Sequence, residues 1–239
     1  MDNQQIFATQ ISKMMKLNKI FNVECLEGMK EIPDNFVDLI VTDPPYLIKY
    51  KTNNRKNKKH KFCSEILNDD NEQLIINYIN ECYRILKNDS AMYIFCSSKK
   101  IEIFKIELEK KFKIKNIIIW VKNNGTMGDL SAQFAQSYEM VILVNKGRKE
   151  FNGKRITDVW NFDRVNGNKQ LHSNQKPLAL IEQCIIKHSN ENDIVFDGFM
   201  GSATTAIACI NTKRNYLGFE LDKEYYHIAL KRIEDHKIE

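Results

Sequence analysis

The sequence lacks the marks of several protein classes. Its six cysteines are scattered without a CxxC pair, which argues against a zinc site or a disulfide framework and predicts reduced, mostly buried thiols. It has no apolar run long enough to cross a membrane and no charged-then-apolar signal-peptide pattern at its N-terminus. We therefore expect a cytoplasmic protein. Its 239 residues, with 43% hydrophobic side chains, suffice for one large domain with a proper core.

Acidic residues are absent from residues 47–61, a stretch that holds seven basic side chains and is called the basic segment below. The rest of the chain carries a net charge of about −2, so this segment supplies the whole basic excess. A basic run is commonly just a solvated loop. Because this one directly follows the tetrapeptide at residues 43–46, a partner with many negative charges is the better interpretation.

Short β-like apolar runs alternate with helical stretches along the chain, which is typical of an α/β sheet with helices on both faces. The predicted strands are residues 20–23, 37–41, 91–96, 116–121, 140–144, 193–196 and 215–219. The predicted helices are residues 71–86, 99–111, 177–187, 203–211 and 223–233. Asp222 is the expected N-cap of the last helix, and Pro177 suits the first turn of its own. Residues 47–70 and 122–172 fit this pattern poorly, and loops this long are usually functional or mobile.

The first informative motif is the tetrapeptide DPPY at residues 43–46, which follows the apolar run at residues 37–41. Two consecutive prolines restrict the backbone and make the cluster around the Asp43 carboxylate rigid. The Tyr46 ring offers a flat face on which a base can stack. Taken alone, the motif is equally compatible with a strand-end turn followed by a packed tyrosine.

The second informative motif, at residues 193–206, combines a strand, an acidic residue, a tight glycine turn and a helix start, with Asp197 and Gly201 in the turn. Glu220 ends the next strand, 19 residues beyond Gly201, where a carboxylate can bind ribose hydroxyls. The turn is neither GxGxxG nor a P-loop, so a diphosphate is not the obvious ligand. Its acidic residue suits a ligand with a positively charged amino group. An ordinary turn between strand and helix remains the alternative.

Together with the segment HSNQKP at residues 172–177, these motifs resemble the S-adenosylmethionine-dependent DNA amino-methyltransferases, and more narrowly the β-class adenine-N6 enzymes. That class carries DPPY first and its FxGxG cofactor motif last, a permuted motif order that this chain shares. The resemblance implies a Rossmann-like methyltransferase fold with a mostly parallel, seven-stranded sheet and helices on both faces. It implies an N-terminal extension at 1–18 and a single methyltransferase domain at 19–239. Within that domain, 47–70 would be a basic insertion and 122–172 a target-recognition region.

The resemblance also implies the site residues. The catalytic residues are Asp43, Pro44, Pro45 and Tyr46. The cofactor-binding residues are Glu24, Cys25, Asp43, His172, Ser173, Asn174, Gln175, Lys176, Asp197, Phe199, Met200, Gly201, Ser202, Ala203, Thr204, Thr205 and Glu220. Gly198 replaces a proline of the family, Ala203 replaces the second glycine of FxGxG, and residues 173–174 replace Pro-Thr. Because alanine adds only a methyl group, we expect the turn to survive if the backbone at Ala203 stays right-handed.

The activity implied by the resemblance is transfer of a methyl group from S-adenosylmethionine to the N6 amine of an adenine flipped out of DNA. This amine is a poor nucleophile because its lone pair is delocalised into the ring. We assign the Asp43 carboxylate and the Pro44 carbonyl as the acceptors of its two N–H groups. This arrangement would free the lone pair. The displacement requires neither a metal nor a covalent enzyme intermediate.

The implied partner is double-stranded DNA, and a homodimer and a companion restriction endonuclease are expectations from the family. The candidate DNA contacts are Lys49, Lys51, Arg55, Lys56, Lys58, Lys59, Lys61, Lys122 and Asn123. The alternatives are a cytosine-N4 enzyme, an enzyme of single-stranded DNA or RNA, and a catalytically idle DNA-binding subunit. Aspartate rather than serine at position 43 favours adenine over cytosine. A nicotinamide oxidoreductase is disfavoured because the glycine turn comes late in the chain.

Overall fold

The computed structural model describes residues 16–48, 69–125, 129–165 and 175–238. No helix within these ranges is long and apolar enough to span a bilayer. The strands are β1 (Lys19–Phe21), β2 (Val37–Thr42), β3 (Leu86–Cys96), β4 (Lys113–Val121), β5 (Tyr138–Lys146), β6 (Val159–Asn161), β7 (Ile194–Asp197) and β8 (Asn215–Phe219). The helices are α1 (Cys25–Met29), α2 (Glu72–Ile85), α3 (Ile101–Glu109), α4 (Leu178–His188), α5 (Thr204–Asn211) and α6 (Lys223–Ile238).

The strands form one sheet in the order β1-β8-β7-β2-β3-β5-β4-β6. β5 is antiparallel to both of its neighbours, whereas the other pairs are parallel. The prediction of a mostly parallel sheet is confirmed. Among the described residues the sheet has eight strands, one more than the seven expected. The additional strand is β6, whose three residues are too short to show a period. Its Trp160 is buried and donates its indole N–H to the Thr157 carbonyl at 2.8 Å.

Helices cover both faces of the sheet because the central strands are apolar on both sides. In β2, Ile40 packs in the same cluster as Leu74 of α2 and Phe104 of α3. Its neighbour Leu39 faces the other way and packs in the same cluster as Leu180 of α4. Each such buried side chain stabilises the fold by about 1.5–3 kcal/mol. The predicted layer of helices on each face is therefore confirmed.

The start of α6 is fixed by a side-chain cap. The Asp222 carboxylate accepts the backbone N–H groups of Glu224 and Tyr225 at 2.8 and 3.0 Å, which confirms it as the N-cap. Pro177, by contrast, has an extended backbone and precedes α4 instead of lying in its first turn. The five-residue helix α1 was not predicted, because so short an element carries little periodicity.

Parallel pairing brings the carboxyl ends of several strands to one edge of the sheet. β2 and β7 are direct neighbours, with Ile40 opposite Phe196. Asp43 follows β2 and Asp197 ends β7, so both acids lie at this edge. In open α/β sheets, ligands bind at such an edge. The early and the late motif therefore meet across one edge of the sheet.

Residues 122–172 contain the predicted strand at 140–144, which is β5, and the additional strand β6. β5 lies between β3 and β4, third from one end of the sheet. The connection from β4 to β5, called the 122–137 loop below, leaves the sheet at the edge that carries Asp43 and Asp197. The fold thus brings a segment distant from both motifs beside them.

Candidate active site

A single cleft of about 420 Å³ lies at this edge of the sheet and is lined by residues from both motifs. Its size falls within the usual range of small-molecule sites, roughly 300–1,000 Å³. Asp43 and Tyr46 line one part, and Asp197, Gly201 and Glu220 line another. The two motifs therefore contribute to one site.

Asp197 organises the turn after β7. It is buried, and its carboxylate accepts the Phe199 backbone N–H at 3.0 Å and the Thr205 hydroxyl at 2.7 Å. Burial raises the pKa of Asp197 to about 6, although these two hydrogen bonds act in the opposite direction. The side chain thus closes the turn onto the start of α5 and leaves negative charge beside the cleft.

Glu220 joins the end of β8 to the same turn. Its carboxylate accepts the Gly201 N–H at 2.7 Å and the Asp222 N–H at 2.8 Å. Burial raises the pKa of Glu220 to about 7. Neither Glu220 nor Asp197 forms an ion pair within the part of the chain that the structure describes. The turn therefore presents two carboxylates that are held by uncharged donors.

The replacement of the family's proline by Gly198 has a structural reason. The Gly198 N–H donates to the Tyr78 hydroxyl at 3.2 Å, a bond that proline could not form. A Cβ at Gly198 would lie 2.5 Å from the Tyr78 ring, which excludes any larger residue. The same hydroxyl is 2.8 Å from the Thr42 hydroxyl. Tyr78 thus links the end of β2 to the turn between β7 and α5, which we call the cofactor turn.

Ala203 differs from the expectation. Its backbone is left-handed, with φ 64° and ψ 32°, so the right-handed condition under which we expected the turn to survive is not met. Its side chain is fully buried and does not line the cleft, which does not fit its assignment as a cofactor contact. A left-handed alanine costs about 1–2 kcal/mol. The turn geometry therefore persists without the second glycine, at the cost of backbone strain.

The end of β1 adds Glu24 and Cys25 to the cleft. The Glu24 carboxylate caps α1 by accepting the Glu27 N–H at 3.0 Å, and it also accepts the Cys25 thiol at 3.2 Å. Burial raises the pKa of the Cys25 thiol well above its ordinary value, so it remains protonated and unreactive. Both residues, which were predicted to bind the cofactor, therefore lie at the cleft.

The DPPY tetrapeptide is held by a buried lysine. The Lys176 ammonium donates to Asp43 Oδ2 at 2.6 Å and lies 3.1 Å from the Tyr46 hydroxyl. The Tyr46 hydroxyl donates to Asp43 Oδ1 at 2.5 Å. Burial raises the pKa of Asp43, and the adjacent ammonium of Lys176 acts in the opposite direction. The Asp43 side chain is 24% exposed, so it still faces the cleft.

Sequence reasoning missed one member of this group, Glu139 at the start of β5. Its Oε2 lies 3.3 Å from the Lys176 ammonium, and its Oε1 accepts the Lys122 ammonium. Burial alone would raise the pKa of Glu139, but the two ammonium groups lower it to about 2. Asp43, Tyr46, Lys122, Glu139 and Lys176 form what we call the catalytic network. The one signal in the sequence was the pair of opposite charges that flank the connection, Lys122 at its start and Glu139 just after its end.

The structure brings most of the predicted site residues together. Those that line the cleft are Glu24, Cys25, Asp43, Pro44, Pro45, Tyr46, Gln175, Lys176, Asp197, Phe199, Met200, Gly201, Ser202, Thr204, Thr205 and Glu220. Lys176, expected beside the cofactor, is bonded to Asp43 instead. Lys122, expected to contact DNA, is paired with Glu139 and 15% exposed, whereas Asn123 is exposed.

Several predicted contacts lie outside the described residues. They are His172, Ser173 and Asn174 of the cofactor set, and Lys49, Lys51, Arg55, Lys56, Lys58, Lys59 and Lys61 of the DNA set.

Comparison with known proteins gives a consistent result. A protein-family model described as "DNA methylase" matches residues 37–231. The DNA adenine methyltransferase YhdJ of Escherichia coli is 29% identical, over 90% of this chain and 82% of its own length. The type II methyltransferase M.HpaI of Haemophilus parainfluenzae is 30% identical, over 87% of this chain and 72% of its own.

Solved structures agree with these sequence matches. The M1.HpyAVI–SAM complex is 31% identical, with a TM-score of 0.70 over 90% of this chain and 98% of that one. The cytosine-N4-specific PvuII DNA methyltransferase reaches a TM-score of 0.74 over 93% of this chain and 92% of that one, at 14% identity. Because the identity to the PvuII enzyme is only 14%, this likeness shows a shared fold alone.

Proposed function

This chain belongs to the DNA methylase family, and from that premise we propose that it methylates the N6 amine of an adenine flipped out of DNA. It is an S-adenosylmethionine-dependent DNA methyltransferase, as the family and the SAM complex of its structural relative indicate. The choice of N6 is the finer part of the proposal. The proposed methyl transfer rests on one observation: the Asp43 carboxylate faces the same cleft as the turn at Asp197.

The electrostatics of the cleft support S-adenosylmethionine as the ligand. Its sulfonium and ammonium groups outnumber its one carboxylate, so it is a cation. Asp197 and Glu220 offer negative charge without a bonded Lys or Arg among the residues described. Glu220, at the end of β8, would accept the ribose hydroxyls. A dinucleotide, whose diphosphate is negatively charged, would be repelled here.

The chemistry follows from the acceptors beside the reacting amine. The Asp43 carboxylate and the Pro44 carbonyl would accept the two amine hydrogens, which favours a pyramidal nitrogen with a free lone pair. Bound S-adenosylmethionine supplies a methyl group on a positively charged sulfur. The N–C bond forms as the S–C bond breaks, and one proton then leaves the nitrogen. Asp43 would take that proton, because its carboxylate is the proposed acceptor beside the amine and burial raises its pKa.

Tyr46 and the two prolines would fix the base in that position. The amine cannot be reached inside a duplex, and flipping costs a few kcal/mol. Stacking on the Tyr46 ring offsets part of that cost. Lys176 lies against this ring as well, with its ammonium 5.4 Å from the ring centre, and so limits the movement of Tyr46. The rigid backbone then supplies the positioning on which the rate depends.

We further propose that the basic segment binds the phosphates around the target base, in double-stranded DNA. Such contacts give affinity and a steep salt dependence, but no sequence preference. Specificity would then come from the remainder of residues 47–70 and from residues 122–172, including the exposed Asn123. This corresponds to one methyltransferase domain at 19–239 with two DNA-contacting regions. A second copy of the chain and a companion restriction endonuclease are further proposed partners.

The test is transfer of tritium from labelled S-adenosylmethionine to DNA, followed by separation of the nucleosides. We expect N6-methyladenine from the wild-type protein and a loss of at least about 100-fold in Asp43→Ala. Glu150→Ala is the matched control, because Glu150 forms only an exposed pair with Arg148 and should leave the rate unchanged. Full activity in Asp43→Ala would refute the catalytic assignment. N4-methylcytosine would change the target, and cofactor binding without transfer would indicate an idle subunit.

A further inference from the structure

The Tyr46 hydroxyl lies between two carboxylates. It is 2.5 Å from Asp43 Oδ1 and 3.2 Å from Glu139 Oε2. A hydroxyl has one proton, so it can form one strong hydrogen bond as a donor at a time. In this structure the shorter bond goes to Asp43, and Glu139 is the second acceptor within reach.

Asp43 has both of its carboxylate oxygens engaged. Lys176 donates to Oδ2 at 2.6 Å, while Tyr46 donates to Oδ1. Each oxygen can accept a further bond, but a substrate amine that donates to Asp43 adds a third donor to this carboxylate and weakens the bonds already there. The Lys176 ammonium is held by charge between Asp43 and Glu139. The neutral hydroxyl is the donor that can be exchanged at lower cost.

Glu139 is held in place as an acceptor for that hydroxyl. Lys122 binds its other carboxylate oxygen, and the backbone of β5 pairs with strands on both sides. The two lysines lower the pKa of Glu139 to about 2, so it remains ionised throughout the physiological range. An ionised acceptor forms a stronger hydrogen bond than a neutral one. The acceptor is thus fixed, charged and close to Tyr46.

We propose that Glu139 is a positioning residue that accepts the Tyr46 hydroxyl when the target amine donates to Asp43. The exchange frees one Asp43 oxygen for the amine while the Tyr46 hydrogen bond is kept. No covalent bond changes in this step. Glu139 lies outside both motifs, and its role rests on the proposed methyl transfer.

The test is a double-mutant cycle with Glu139→Gln and Tyr46→Phe, read as the single-turnover rate of methyl transfer. Glutamine keeps the shape of Glu139 but is a weaker, neutral acceptor. We expect Glu139→Gln to slow transfer about tenfold when Tyr46 is present. When Tyr46→Phe has removed the hydroxyl, the same change should slow transfer less than about twofold. The affinity for S-adenosylmethionine should change little in either case.

An equal effect of Glu139→Gln with and without the Tyr46 hydroxyl would overturn the proposal, because Glu139 would then act through Lys176 or the fold alone. The double variant Glu139→Gln with Lys122→Met controls for a loss of folding, because it removes one cation together with one anion and keeps the charge balanced. We expect the tenfold loss to persist in that pair, and full recovery would also overturn the proposal. No transfer by the wild-type protein would instead remove the proposed function, and this role with it.

Discussion

Two clusters of carboxylates lie at the same edge of the sheet and differ in how their charge is balanced. Asp43 and Glu139 are paired with Lys122 and Lys176, and the pKa of Glu139 falls to about 2. Asp197 and Glu220 are bonded to backbone N–H groups and a hydroxyl, and burial raises their pKa values to about 6 and 7. Burial therefore has opposite outcomes for Glu139 and for the two acids of the turn, whereas Asp43 resembles the latter because its pKa is raised.

The difference corresponds to what each cluster is proposed to receive. The catalytic network meets a neutral base, so its charges must already be balanced before the base arrives. The acids of the cofactor turn meet a cation, and the ligand itself supplies the missing positive charge. A site of this second kind is less stable when empty, because its ionised acids have no bonded cation.

The largest effect is expected for Lys176→Met, which removes the ammonium group paired with both Asp43 and Glu139 and leaves Glu139 its pair with Lys122. Breaking a buried pair from one side costs about 3–5 kcal/mol. We expect that loss in the free energy of unfolding by denaturant, together with a loss of methyl transfer of at least about 100-fold.

The control for this variant is Lys213→Met. Lys213 pairs with Glu191 on the surface, where both side chains are more than half exposed. Such a pair is worth no more than about 1 kcal/mol. If both lysine variants changed stability equally, the catalytic network would not be a balanced buried cluster, and the contrast with the cofactor turn would disappear.

A smaller effect is expected from pH on cofactor affinity. Glu220 has a pKa of about 7 in this structure, and its ionised form is the better acceptor for ribose hydroxyls. Binding should therefore weaken as pH falls, by about tenfold between pH 8 and pH 6 if one proton is displaced. Titration of S-adenosylmethionine by calorimetry at several pH values measures this directly.

Glu220→Gln provides the comparison, because glutamine does not titrate. We expect weaker binding with a much flatter pH dependence, limited to the contribution of Asp197. A carboxyl whose folded pKa is raised contributes stability at low pH that is lost as pH rises through about 7. The variant should therefore raise the unfolding midpoint more at pH 8 than at pH 5. An unchanged pH slope of binding would show that Glu220 is not the titrating acid.

The smallest effect is expected for Ala203→Gly. Removing the left-handed strain gains about 1 kcal/mol, and loss of a buried methyl group costs about 0.8 kcal/mol. The unfolding free energy should thus change by less than about 0.5 kcal/mol. Ala206→Gly, in the interior of α5, relieves no such strain and should cost about 1–2 kcal/mol. Equal losses in the two variants would mean that Ala203 is unstrained.

Much of the site could be predicted because its chemistry requires particular residues at strand ends. The acid and prolines after β2, and the acid and glycine after β7, are local in sequence, and Asp222 was correctly predicted as a cap from its own position. The partners of these residues were harder to predict. Lys176 reaches Asp43 from 133 residues away, so no local pattern could pair them.

Glu139 and Ala203 could not be assigned correctly for two different physical reasons. Glu139 joins the site only through the register of the antiparallel pair, in which it lies opposite Trp120, and register is not readable from one sequence. The handedness of Ala203 is set by closure of the turn onto α5, which overrides the preference of alanine. The extra strand β6 escaped detection because only Trp160 of its three residues is buried.

The base of the 122–137 loop has a consequence for engineering. The Lys122 backbone N–H donates to the Ser137 carbonyl at 2.7 Å, and its side chain reaches Glu139, so the two strand ends are fastened together below the loop. A foreign loop grafted between these anchors would inherit the same attachment to the sheet. If this region selects the target as proposed, exchanging the loop should change the target preference while leaving Asp43 and Tyr46 untouched.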